Sequence, residues 1–147
     1  MSVTSRYQSN PGEEHWTSVK SILKYLRRTK DMMLVFGNGE LQVQGYTDSD
    51  FMSDIDDQKS TSGSLFVCND GAISWKSSKQ IVIADSNMEA EYIAASEAAK
   101  EAFWCKKSTT EIGVMPLDAI PLYCDNNGAI ALTKELRSHQ KFKHIKR

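Results

Sequence analysis

The sequence predicts one mixed α/β domain with a helix in front of it, on three observations. Segments that alternate polar and apolar residues fill the stretch from Leu41 to Trp75. A long helical pattern begins after Ser86, and a short isolated strand between Ile120 and Cys124 follows it. With a helix between them, the last strand and the first can pair in parallel. A chain of 147 residues is long enough for one real core and too short for two comfortable ones.

Taken in order, Asn10 can cap a first helix, Pro11 suits its first position, and Glu13 and Glu14 place negative charge in its first turn. Trp16, Val19, Leu23 and Leu26 then form a stripe, with Lys24, Arg27, Arg28 and Lys30 at the wet end. Met32 to Phe36 reads as a strand, and Gly37-Asn38-Gly39 as the turn into Leu41-Gln42-Val43-Gln44. Alternation puts Leu41 and Val43 on one face and Gln42, Gln44, Tyr46 and Asp48 on the other. Asp54 to Ser62 is polar and reads as a loop. Leu65 to Cys68, the Asn69-Asp70-Gly71 turn and Ala72 to Trp75 make a hairpin. Ser86 and Glu89 form a capping box, behind which Met88, Tyr92, Ala95, Ala99 and Phe103 mark the expected buried face. Trp16, Phe103 and Trp104 are all expected to pack in the core. Gly113 closes that helix, and Ala129 to Leu136 is helical again. The segment Arg137 to Arg147 is basic, without a clear partner.

A net charge of -1 argues against a polybasic tail and a strongly acidic disordered segment and by itself says nothing about nucleic acid, so any basic surface must be local. No run approaches the roughly 18 apolar residues of a membrane span, and the N-terminus lacks the order of a secretory signal. These features predict an intracellular protein, cytoplasmic or nuclear, not secreted and not membrane-bound. Cys68, Cys105 and Cys124 contain no CxxC pair and are expected to be reduced thiols used for packing.

Three acids stand at element junctions: Asp48 at a strand end, Glu91 early in the long helix, and Asp125 where a strand gives way to a helix. Carboxylates so placed can hold two magnesium ions about 4 Å apart, the arrangement used for in-line hydrolysis of a phosphodiester. Hard oxygen ligands suit magnesium, with manganese as a substitute. His139 and His144 lack the cysteine partners of a zinc site. The bland alternatives are equally concrete. Asp125 could be a helix cap, Asp48 one of the turn acids with Asp50, Asp54, Asp56 and Asp57, and Glu91 a solvent-facing helix residue.

A series of blocks goes further: Ser5-Arg6-Tyr7, Ser9-Asn10-Pro11-Gly12, His15-Trp16, Gly45-Tyr46-Thr47-Asp48-Ser49-Asp50, Lys59-Ser60-Thr61-Ser62-Gly63, Ile73-Ser74-Trp75, Ser78-Lys79-Gln80, Glu89-Ala90-Glu91-Tyr92, Cys124-Asp125-Asn126 and Lys143-His144-Ile145. In this order they closely resemble the ribonuclease H region of copia-type retrotransposon polyproteins, over essentially the whole chain. The resemblance implies a ribonuclease H-like mixed sheet flanked by helices, with residues 1–39 a connection helix and short strand and residues 40–147 the nuclease domain. It also implies magnesium-dependent cleavage of the RNA strand of RNA/DNA hybrids during reverse transcription, with Asp48, Glu91 and Asp125 as metal ligands. The reverse transcriptase portion of the polyprotein would be a partner. Lys76, Lys79, Gln80, Asn126, Ser60, Thr61 and Ser62 are the expected nucleic-acid contacts.

The chain departs from the family pattern at Lys146, where Asp is common, and at Asp85, where a small or apolar residue is usual. Family members continue past the Lys-His-Ile block through a further strand and helix with a fourth acid. The resulting expectation is weak activity and self-association through an incomplete fold. The alternative function is a transposon-derived remnant that binds nucleic acid or protein without catalysis.

Overall fold

The computed structural model describes residues 2–37, 41–54, 56–113 and 119–134, and the chain forms two compact units, Met1–Leu34 and Val35–Arg147. Part of the expected 37–39 turn, the basic segment after Leu136, and both His139 and His144 lie outside the described residues.

The first unit holds α1 (Ser2–Ser5) and α2 (Glu13–Arg28). Its cap differs from the expectation. Gly12, not Asn10, is the N-cap, and its N–H donates to His15 Nδ1 at 2.9 Å. The His15 ring in turn stacks on Tyr7 with centroids 4.2 Å apart. The stripe of Trp16, Leu23 and Leu26 is present but exposed.

The second unit is built on a four-stranded sheet in the order β3-β2-β1-β4, from β1 (Val43–Asp54), β2 (Lys59–Cys68), β3 (Gly71–Lys79) and β4 (Leu122–Tyr123). The first three are antiparallel, and β4 runs parallel to β1. Residues 32–36 do not form the expected strand. Instead Phe36 lies against the β2–β3 turn, and Gly37 N–H donates to the Asn69 carbonyl at 2.8 Å. The turn is tight because Asn69 and Asp70 both take left-handed backbone, with φ of 48° and 64°. That is the twist a two-residue hairpin needs, and Asn and Asp tolerate it. Gly71 is required for space: a Cβ there would stand 2.4 Å from Phe36 Cδ1.

The polar stretch read as a loop is mostly strand. Only the tip is a turn, where Asp54 Oδ1 accepts the N–H groups of Asp56 and Asp57, and Lys79 bridges Asp54 at 2.7 Å and also Asp57. Ser60, Thr61 and Ser62 sit buried in β2 because each hydroxyl is bonded inside the protein.

Above the sheet lies α3 (Asn87–Glu111). Ser86 Oγ accepts Glu89 N–H at 3.2 Å, as the capping box predicts, while Glu89 Oε2 accepts from Asp85 N–H at 2.8 Å. The buried face is not the expected one. Phe103 is 72% exposed, Trp104 is exposed too, and Ala90, Ile93, Ala94, Ala98 and Cys105 face inward. Small side chains let the helix approach the sheet closely, which large residues on that stripe would prevent. Ala98 and Cys105 close a core with Val43, Phe66 and Cys68, with Ala102, Ile120 and Leu122 at its margin, while Ala90 and Ile93 pack with Ala84 in a second cluster flanked by Phe51 and Val82. Gly45 permits the packing of Phe66, whose Cε1 would lie 2.6 Å from a Cβ at that position. Gly113, with φ of 73°, follows the helix end as predicted. The second short helix, α4 (Asn127–Lys134), packs on α3.

On the opposite face, Tyr123, Tyr46, Leu65 and Trp75 occupy one register across all four strands and are at least partly exposed.

Candidate metal centre

Parallel pairing of β1 with β4 sets Tyr46 beside Tyr123. Asp48 and Asp125 each follow two residues later; Asp125 lies just past the end of β4, whereas β1 runs on to Asp54, so Asp48 is not at a strand end as expected but within β1, paired with Gly63. The capped start of α3 brings Glu91 to the rim at the β4 exit, where the charges of both acids reach it. Its Oε1 accepts the Ser49 backbone N–H at 3.2 Å. Glu91 is therefore not a solvent-facing helix residue: it is 3% exposed, and its Oε2 is buried without a hydrogen-bond partner.

An orphaned buried carboxylate oxygen is unfavourable by itself. Burial raises the Glu91 pKa above the ordinary 4.5, the Ser49 N–H and hydroxyl oppose this, and the charges of Asp48 and Asp125 raise it further. Glu91, Cys124 and Asp125 each offer one ligand atom, and these atoms lie within 4.8 Å of one another. Asp48 stands outside that tight group, although its charge reaches both Glu91 and Cys124. The helix-cap alternative for Asp125 also fails, because Asn126 Oδ1 takes that role by accepting Ala129 N–H at 3.0 Å. An orphaned oxygen among three carboxylates is a donor set and charge arrangement that fits a divalent cation, magnesium included.

Cys124 was missed in the sequence. Cys68 and Cys105 do pack in the core as expected, but Cys124 is half-buried beside the acids. Burial raises its thiol pKa, the Asn126 backbone N–H lowers it, and Glu91, Asp125 and Asp48 raise it. The available signal was adjacency: a residue next to Asp125 at a strand exit reaches the same rim.

The raised Glu91 pKa makes metal-free stability depend on pH. Because the folded state holds this proton more tightly than the unfolded chain, the contribution is fully present below 4.5 and is lost as pH rises through the higher folded value. Metal-free Glu91→Gln is expected to lose less stability than the wild type across that window, as read by thermal melts in chelator. Parallel pH curves for the two proteins would contradict it.

Most of the expected nucleic-acid contacts have partners within the protein. Gln80 is 1% exposed, and its Nε2 donates to Ser62 Oγ and the Ala90 carbonyl, both at 2.9 Å. Ser60 accepts Met52 N–H, and Thr61 bonds Ser53. Ser60, Thr61, Ser62 and Gln80 therefore hold the sheet and α3 together, with Ser62 also lining the groove beside Lys76. Lys79 is committed to Asp54 and Asp57. Lys76 is exposed in a groove with Ser62, Ser64, Ser78, Glu97, Lys100 and Glu101, and the Asn126 side chain caps α4 through its Oδ1.

A mixed sheet in the order β3-β2-β1-β4, crossed by a helix that adds a carboxylate to one from within β1 and one from the exit of β4, defines a ribonuclease H-like α/β fragment. Sequence comparison finds similar proteins. The chain is 47% identical over 143 residues to the retrovirus-related Pol polyprotein from transposon TNT 1-94 of Nicotiana tabacum, covering 97% of this chain and 11% of that protein. It is 34% identical over 142 residues to the Pol polyprotein from transposon RE2 of Arabidopsis thaliana, covering 96% of this chain and 10% of that one. Secreted RxLR effector protein 161 of Plasmopara viticola is 43% identical over 103 residues, 69% of this chain and 72% of that protein. The chain is similar to a segment of these retrovirus-related Pol polyproteins of transposons and spans about a tenth of the length of those it matches. No family model and no solved structure matches it. Among the described residues, no helix is long and apolar enough to cross a membrane.

Proposed function

We propose that this chain hydrolyses the RNA strand of RNA/DNA hybrids endonucleolytically, with magnesium, as part of retrotransposon reverse transcription. The observation that carries the reading is the buried, unpartnered Oε2 of Glu91 facing a rim shared with Asp48 and Asp125. Those three side chains would hold the metal pair, for which manganese can substitute. When bound, it supplies an activated water and charge for the departing oxygen. Ser49 N–H fixes Glu91 in place before any ion arrives, and α3 and the β1–β4 pair give the acids a rigid base. With its Oδ1 engaged as the cap of α4, Asn126 would use its Nδ2 to donate to a phosphate or a ribose hydroxyl. Cleavage of a labelled hybrid with magnesium and not with chelator tests the reading.

Binding should weaken with salt, but shallowly, because Lys79 is already paired and Lys76 is the main cation left from the expected set. Lys76→Ala is expected to reduce the slope of log affinity against log salt by about 1. An unchanged slope, measured by fluorescence anisotropy on a hybrid, would remove Lys76 from the interface.

A second reading has its own support. The relative from Plasmopara viticola is named an effector, not a polyprotein. This favours a transposon-derived remnant that binds without catalysis. Magnesium-dependent turnover by the wild-type chain excludes it.

A further inference from the structure

The feature at this rim that magnesium chemistry does not use is a sulfur atom. Cys124 Sγ and a carboxylate oxygen from each of Glu91 and Asp125 stand within 4.8 Å of one another. By the usual zinc–sulfur and zinc–oxygen bond lengths, ligand atoms around a tetrahedral zinc lie roughly 3.5 Å apart. Small side-chain rotations close that difference. The three residues also sit on well-placed backbone, Glu91 on α3 and the other two at the exit of β4.

Two further observations point to a ligand. Glu91 is 3% exposed with Oε2 unpartnered, so one donor is already desolvated and waiting. The Cys124 sulfur stands beside Asp125 at the exit of β4, half-buried among the acids. Cys68 and Cys105 lie in the core and have no such setting. Thiolate is a soft donor, which magnesium does not favour and the zinc group of divalent ions does. Three protein ligands and an open fourth position also describe an exchangeable site better than a closed structural one.

We propose that the rim binds a thiophilic divalent cation of the zinc class through Cys124, Glu91 and Asp125, and that this ion excludes magnesium and arrests hydrolysis. The arrest rests on the nuclease reading above, whereas the ligation rests on the geometry alone. Zinc would then act as an inhibitor at low concentration even with magnesium in large excess, because Glu91 and Asp125 cannot serve both ions.

The test adds cobalt(II), a spectroscopic stand-in for zinc, to the full chain without nucleic acid. A sulfur-to-cobalt charge-transfer band in the near ultraviolet is expected for the wild type and for Cys68→Ser, abolished in Cys124→Ser and bleached by added zinc. No band in the wild type, or a band that survives Cys124→Ser, overturns the proposal. A second measurement needs no variant: zinc should slow alkylation of Cys124 in the native wild type about tenfold or more, read by peptide mass spectrometry. Equal rates with and without zinc overturn the proposal too. Thiolate ligation of cobalt without magnesium-dependent cleavage would mean that the nuclease reading fails while this site stands. Cleavage with no cobalt band would mean the reverse.

Discussion

Asp48→Asn is expected to lower magnesium-dependent cleavage of an RNA/DNA hybrid by more than the roughly 10–100-fold that loss of an outer-shell partner costs a metal site. The amide keeps the volume and removes the charge. Asp125→Asn should behave alike, since the charges of both acids reach Glu91. Stability should move the other way in metal-free protein. Each of these charges raises the Glu91 pKa, so removing either relieves repulsion at neutral pH. Initial rates in magnesium and thermal midpoints in chelator measure the two effects. An Asn variant with unchanged turnover would remove Asp48 from the mechanism.

The largest expected loss of stability comes from Phe66→Ala. Phe66 is 0% exposed and lies between Val43, Cys68 and the alanine face of α3, with Gly45 keeping room for its ring. Truncation removes the buried ring and leaves a cavity that the rigid sheet cannot collapse into, at a cost of about 3–5 kcal/mol. That is a large share of the stability of an ordinary domain. Phe103→Ala is the matched control: exposed, on α3, and expected to stay within about 0.5 kcal/mol of the wild type. Urea unfolding of both variants decides it, and similar midpoints would place the core elsewhere.

That contrast shows where sequence pattern was informative. The β2–β3 hairpin, the Ser86 cap, the parallel return at Tyr123 and the close of α3 by Gly113 were legible because each depends on local chemistry at a few positions. The buried face of α3 was not. Helical spacing was assigned to the large residues Met88, Tyr92 and Phe103, whereas close approach to a sheet selects the alanines. The strand character of Ser60, Thr61 and Ser62 was hidden for a related reason. Polar residues read as loop until their partners, Met52, Ser53 and Gln80, are known, and those partners come from sequence neighbours up to 18 positions away. Met32 to Phe36 carried the apolar composition of a strand but found no strand to pair with. At the site, Glu91 and Asp125 came from family-like blocks, while the burial of Glu91 and the arrival of Cys124 depend on how α3 crosses β1 and β4.

The central claim is that a divalent cation is held where Glu91 meets Asp48 of β1 and the exit of β4. It is tested most directly by titrating magnesium into uniformly labelled protein and following backbone amide shifts by NMR. Saturable shifts are expected at Ser49, whose N–H bonds Glu91, and at Asp125 and Asn126, with little change along the outer-face row of Tyr46, Leu65 and Trp75. Asp125→Asn should weaken that saturation. Saturable shifts elsewhere, or none at these amides at millimolar magnesium, would contradict the account.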